Sequence, residues 1–254
     1  VHAPPGIVPG FPAGRDVFVW RGVEAAALDL DFASPDRPTL VTDVLGACAE
    51  PPATGSDRED LWRLSLAARV GGLLAVLAST TRSDVLDRVV SCPGCGEDLE
   101  VSLPVALLLD LARSAEAHPE TVVDGPDGPV TLRRPRGSDQ RAWRQAGHLD
   151  PEAAVIATLV VEGAATDPAV LDTALAEFDP LTCFRLDVGC PSCGLRSGVP
   201  LDLEGTLLLD LARAQARTIR DVAALARRYG WSEAEVLAVP AWRRRTYLEL
   251  TDWS

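Results

Sequence analysis

The stretch SCPGCGEDLEVSLPVALLLDLAR (91–113) returns, altered but recognisable, as GCPSCGLRSGVPLDLEGTLLLDLAR (189–213). In both copies a C-P-x-C-G turn sits between segments whose polarity alternates. DVLDRVVS (84–91) precedes the first pair and Leu99, Val101 and Leu103 follow it; Phe184, Leu186 and Val188 precede the second, and Val199, Leu201 and Leu203 follow. A period of two is that of a half-buried strand. The shared heptapeptide LLLDLAR then reads as helix, with Pro104 placed to open the first one. Each unit, about 80–113 and 180–213, is thus expected to run strand, cysteine turn, strand, helix. The heptapeptide falls two residues further from the cysteines in the second copy, so the likeness is one of structural units and not a strict duplication.

Four of the six cysteines, Cys92, Cys95, Cys190 and Cys193, lie in these turns. Two C-x-x-C turns supply four thiolates, the complete tetrahedral set that zinc favours in structural sites. Gly96 and Gly194, each following a second cysteine, suit a turn that needs positive φ. A redox pair would sit at a helix N-terminus, where the dipole lowers the thiol pKa. Strands flank these pairs, which favours zinc over redox chemistry; reduced, unliganded pairs are the plain alternative. A shared ion would close a loop of about a hundred residues and join the units as a pseudo-symmetric pair. It would contribute on the order of 10 kcal/mol or more to the folded state. Four thiolates leave no position for water or substrate, so the metal is expected to act as a scaffold. Cys48 and Cys183 are expected as small buried hydrophobes. His2, His118 and His148 show no ligand spacing, and His118 before Pro119 reads as a surface loop residue.

Outward from the repeats, residues 1–58 are rich in Pro, Gly and Asp and are expected as an irregular N-terminal arm, broken by a strand-like DVFVW (16–20) and a short helix at 40–49. Residues 59–79 have apolar residues at helical spacing, weakened in the middle by Gly71 and Gly72. Between the copies, 122–135 reads as a hairpin, and Asp150-Pro151 and Asp167-Pro168 as helix starts. The second unit runs into the longest helix, 204–229, ended by Gly230; Ser232 and Glu235 make a capping box and Pro240 opens the last helix. The expected fold is α+β: a zinc-ribbon-like core of two pseudo-repeated units in one domain, 59–254, with a helical C-terminal region, 204–254.

At 254 residues, with 47% hydrophobic and 24% charged residues, the composition is that of a soluble globular protein, and no apolar run reaches the ~20 residues of a membrane span. The N-terminal VHAPPGIVPGFPAGRD has no basic stretch leading into an apolar segment, so a cytoplasmic location is expected, and in that compartment closely paired cysteines are expected as metal ligands or redox centres before structural disulfides. A formal charge of −13 opposes wrapping by nucleic acid. Every positive side chain is Arg; Lys and Met are absent.

No G-x-S-x-G, H-E-x-x-H, P-loop or dinucleotide pattern occurs, and nothing nominates a catalytic residue. Asp110 and Asp210, inside the two heptapeptides, read as helix-surface partners of nearby arginines. Arg213, Arg217, Arg220 and Arg227 share a helical stripe, and Arg243, Arg244 and Arg245 cluster in the final helix, as a solvated face or a docking surface. Residues 218–239 also resemble a helix-turn-helix reader, which makes a zinc-ribbon DNA-binding transcriptional regulator the second reading. Arg133, Arg134 and Arg136 form a compact basic loop, and Trp231 and Trp242 are expected to pack the C-terminal helices.

Taken together, the doubled CPxCG, the R-x-P-x-x-x-D of the central hairpin (Arg133, Pro135, Asp139) and the tail RRYGWSEAEVLAVPAWRRRTYLEL resemble a baseplate or hub assembly chaperone-like family of contractile phage tails and phage-tail-like injection systems. The resemblance covers roughly 58–254, the tail being its most specific part; Arg136 departs from it, standing where the family pattern has Thr. It implies a non-enzymatic structural or assembly protein, cytoplasmic or incorporated in the particle, that docks onto baseplate, spike or tail-tube proteins. With it, Arg133, Arg134, Arg213, Arg217, Arg220, Arg243 and Arg244 are the candidate partner-binding residues.

Overall fold

The computed structural model describes residues 11–13, 16–23, 29–50, 56–125, 128–147, 150–163 and 168–250. The chain runs through β1 (Phe11–Ala13) and β2 (Asp16–Phe18), then α1 (Arg37–Cys48), α2 (Ser56–Arg63) and α3 (Leu66–Thr81). The first cysteine unit is β3 (Val85–Ser91), β4 (Asp98–Pro104) and α4 (Val105–Ala117). A middle segment follows, comprising β5 (Glu120–Gly125), β6 (Gly128–Arg133), α5 (Gly137–Ala146), α6 (Pro151–Leu159), β7 (Val160–Glu162) and α7 (Pro168–Phe178). The second unit is β8 (Arg185–Gly189), β9 (Arg196–Pro200) and α8 (Leu203–Tyr229), and α9 (Glu233–Ala238) and α10 (Ala241–Glu249) complete the described chain.

A helix that is apolar all round must be buried all round, and α3 obeys: every residue from Leu66 to Leu77 is buried. Ser65 starts it by accepting from the Ala68 N–H at 3.0 Å, and Arg82 ends it in the left-handed conformation at φ 56°. Helices α1, α4 and α8 pack around it in the main core. Gly71 and Gly72 do not interrupt this helix. A Cβ on Gly72 would lie 2.7 Å from Leu45 Cδ2 and 3.2 Å from the Trp20 ring, so the missing side chain is what lets α1 and Trp20 close onto α3. This corrects the reading of 1–58 as an irregular arm: Trp20, Leu40, Val41, Val44, Leu45 and Cys48 are all core residues. Their elements are short and separated by Pro and Gly, which hid the packing from a periodicity argument.

One charge lies inside this core. The Arg69 guanidinium is fully buried and donates to the carbonyls of Leu61 (3.0 Å) and Pro38 (2.7 Å) and to Thr42 Oγ1 (3.0 Å), tying α1 and α2 to α3. Burial pulls its pKa down to about 10, opposed by the nearby Glu204 carboxylate.

The two cysteine hairpins are separate antiparallel pairs, β3 with β4 and β8 with β9, that pack face to face through a second core of Val90, Cys92, Leu99, Leu186, Val188 and Cys190. A third cluster lies where Val130 and Leu132 of the sheet β5-β6-β7 meet Leu171 of α7. The hairpin expected at 122–135 is present, with β7 added as an unanticipated third strand. Asp150 caps α6 as expected, accepting from the Ala153 N–H at 3.0 Å; Asp167, like His2 and His148, lies outside the described residues. Gly230 (φ 70°) ends α8, and Ser232 with Glu235 forms the capping box of α9. No helix among the described residues is long and apolar enough to cross a membrane.

Candidate metal centre

Each cysteine turn is closed by the same two backbone bonds. Cys92 N donates to Glu97 O and Gly96 N to Cys92 O; Cys190 N donates to Leu195 O and Gly194 N to Cys190 O, all within 2.8–2.9 Å. Gly96 and Gly194 stand at φ 77° and 74° with open space where a Cβ would project. The left-handed backbone, not crowding, is therefore what requires glycine there. In each turn the first cysteine (Cys92, Cys190) is buried in the inter-hairpin core and the second (Cys95, Cys193) is exposed.

Facing each other, the turns bring all four sulfurs within 4.8 Å of one another. Across the units, Cys92 Sγ lies 3.7 Å from Cys193 Sγ and Cys95 Sγ lies 3.6 Å from Cys190 Sγ. A tetrahedral ion with metal–sulfur bonds of ~2.3 Å has sulfur–sulfur edges of about 3.8 Å, so the spacing suits a shared ion and is far too wide for a disulfide. The Gly94 N–H points at Cys92 Sγ from 3.4 Å, a backbone donor of the kind that stabilises thiolate charge. The sulfurs also set one another's protonation. At Cys190 the Cys193 N–H, with help from Ser192 and Cys95, outweighs burial and draws the thiol down to about 7. Cys95 receives a lowering bond from the Glu97 N–H, but contact with the Cys190 sulfur, burial, and the Cys193 and Cys92 sulfurs push it up to about 12. Sulfurs this close repel one another as thiolates, and a cation among them relieves that conflict.

No family model, curated protein or solved structure matches the chain.

The candidate docking arginines divide sharply. Arg133 makes a two-pronged pair with Asp139, Nη1 to Oδ2 at 2.7 Å and Nη2 to Oδ1 at 2.9 Å, while Asp139 also accepts from the Arg136 N–H at the start of α5. Arg134 is buried, donating from Nε to His118 O at 2.9 Å, facing Asp179 at 3.6 Å and lying on the Phe178 ring. These two arginines lock the central hairpin to α5 and α7 and are not a free basic surface, which corrects their assignment as partner-binding residues. Arg244 is likewise engaged, donating to Val239 O at 2.9 Å beyond the end of α9. Arg213, Arg217, Arg220 and Arg243 are exposed.

Cys48 is buried as expected, whereas Cys183 is exposed. His118 is exposed and follows α4, its Nδ1 2.9 Å from Ser114 O. Trp231 stacks on Tyr229 at 4.8 Å and meets Tyr247 edge-on, packing the C-terminal helices. Trp242 does not pack: it is 59% exposed. Sequence reasoning missed two internal anchors. One is Arg69, whose signal was a single charge inside an otherwise apolar helical run. The other is the pair of Arg88 and Asp210 at 2.6 Å, which fastens β3 of the first unit to α8 of the second across 122 residues and left no local signal.

Proposed function

We propose that the chain is a non-enzymatic docking or assembly protein, held in shape by a structural zinc ion on Cys92, Cys95, Cys190 and Cys193, that engages baseplate, spike or tail-tube proteins of a contractile phage-tail-like particle. The observation that carries the scaffold half is the convergence of four sulfurs from turns about a hundred residues apart. When bound, zinc supplies charge neutralisation and a cross-link, and a four-sulfur set is the one it takes in structural sites. Around it the protein holds the sulfurs on two glycine-closed turns and buries one cysteine of each pair.

The partner half rests on the resemblance of the doubled CPxCG, the Arg133–Asp139 motif and the tail. It is supported by an uneven distribution of charge: residues 213–250 hold eight arginines against four acidic residues in a chain of net charge −13. Trp242, Arg243 and Arg245 lie exposed on α10, and Trp and Arg are the residues most enriched at binding hot spots. The same region argues against the DNA-reading alternative. Helix α9, which would enter the groove, has six residues and carries Glu233 and Glu235 in its first turn, the end that would go deepest into the negative potential of the groove.

The test is co-elution of the purified chain with separately purified baseplate, spike and tube subunits of such a particle, alongside metal analysis. Binding of one subunit that is lost on W242A and R243E is expected; binding of none, by a zinc-loaded chain, would overturn the partner half alone.

A further inference from the structure

At the opposite end of the first hairpin from its cysteines, about 20 Å away by strand rise, the base of β3 leaves a cavity of about 260 Å³ against α3 and α8. Leu74 and Leu77 of α3, with Val85, Leu86 and Val105, form its apolar lining. Its polar lining is cationic. Arg88, Arg213 and Arg217 border it against two carboxylates, Asp87 and Asp210, and both carboxylates are already engaged. Asp87 accepts from Ser102 Oγ at 2.6 Å, and Asp210 accepts from Arg88 at 2.6 Å and Arg213 at 3.3 Å. The Arg88 side chain is only 11% exposed, and its Nε is buried with no acceptor among the described residues. Arg217 is exposed and has no ion-pair partner among the described residues.

An apolar hollow bordered by three arginines against two carboxylates, with the exposed Arg217 at its mouth, defines the chemistry of what it would hold: an apolar body carrying a negative charge. We infer that this cavity binds a carboxylate carried on an apolar body, the body entering between α3 and β3 and the carboxylate meeting Arg88 and Arg217. A cavity of 150 Å³ accepts benzene, so about 260 Å³ has room for a large apolar side chain or a short alkyl chain. Two sources share that chemistry: the C-terminal residue of a protein chain, and a free medium-chain carboxylic acid.

The experiment uses the full chain under reducing conditions and measures binding calorimetrically for four probes. These are octanoate, 1-octanol, a short peptide ending in a free Leu or Phe, and the same peptide amidated. Saturable binding of octanoate or of the free-acid peptide is expected, with the neutral counterpart of each at least about tenfold weaker, the scale of one charge-assisted hydrogen bond. Whichever acid binds more tightly identifies the source. Arg217→Ala should weaken binding about tenfold and Thr81→Trp, at the exposed end of α3, should abolish it; both positions are exposed, and unchanged circular dichroism confirms that the variants fold. Equal binding of acid and neutral probes, binding insensitive to both substitutions, or no binding of either acid overturns the assignment.

Discussion

From Asp87 to Ser102 and from Arg185 to Pro200 the two hairpins correspond residue for residue at a constant offset of 98, Cys92 matching Cys190 and Gly96 matching Gly194. The helices behind them do not keep that offset. LLLDLAR recurs at an offset of 100, yet the residues it buries recur at 99: Leu108, Leu109 and Ala112 in α4, and Leu207, Leu208 and Leu211 in α8. One residue is about 100° of helical rotation, so identical letters face different ways. Leu107 is 57% exposed while its counterpart Leu207 is fully buried, and Leu209 is 50% exposed while Leu109 is buried. The cause lies in the joint. Helix α4 starts directly after β4, whereas Leu201 and Asp202 stand between β9 and α8 and re-aim the helix before it meets the core. The hairpins are alike because both must deliver sulfur to one point; the helices differ because each is phased by its own neighbours.

The largest effect should come from the sulfurs. Cys95→Ser and Cys193→Ser, one in each unit, are expected to lose stoichiometric metal and to lower stability by several kcal/mol, read by elemental analysis and thermal melting. Equal losses sustain the equivalence of the units; a variant in one unit that keeps its metal breaks it. Metal loading must also displace protons. Because Cys95 is pushed up to about 12 in the metal-free chain, its proton leaves on loading throughout pH 6–8. Apparent affinity should therefore fall about tenfold or more per unit of acidification, measured by competition with a chelating dye.

Next come the leucines. Leu207→Ala should cost about 3 kcal/mol and Leu107→Ala less than about 0.5, with Leu109→Ala costly and Leu209→Ala nearly silent. Denaturant unfolding of the four variants would show a one-residue phase difference as a crossed pattern; matched losses at 107 and 207 would refute it. The smallest contrast lies at the two aspartates. Asp110 pairs with Arg113 on an exposed surface, so Asp110→Ala should change stability by less than about 0.5 kcal/mol. Asp210→Ala would strand the largely covered Arg88 and should cost about 2 kcal/mol.

What could be read without coordinates was what recurs locally. Alternating polarity around each C-P-x-C-G, the glycines after it and the proline and serine caps located the hairpins, the four-cysteine cluster and most of the helix ends. Lost were interactions whose partners are distant in sequence. Trp20 and α1 lie in a Pro- and Gly-broken stretch, and only the contact across Gly72 shows why they belong to the core. Arg133 and Arg134 looked like a basic loop because a guanidinium facing solvent and one facing Asp139 or Asp179 are spelled alike. The repeat itself misled in one respect, since matching letters suggested matching faces.

The length of α8 has an electrostatic consequence. Its first turns are fixed in the core through Leu203, Leu207 and Leu211, yet the helix continues to Tyr229. From Ala214 to that end it advances about 22 Å at 1.5 Å per residue. Ionic atmosphere at physiological strength damps fields over about 8 Å. Measured along that axis, the C-terminal end of α8 therefore stands nearly three damping lengths from the point where the helix leaves the core, so the charges around that end, and little of those around its first turns, set the field an approaching surface meets there.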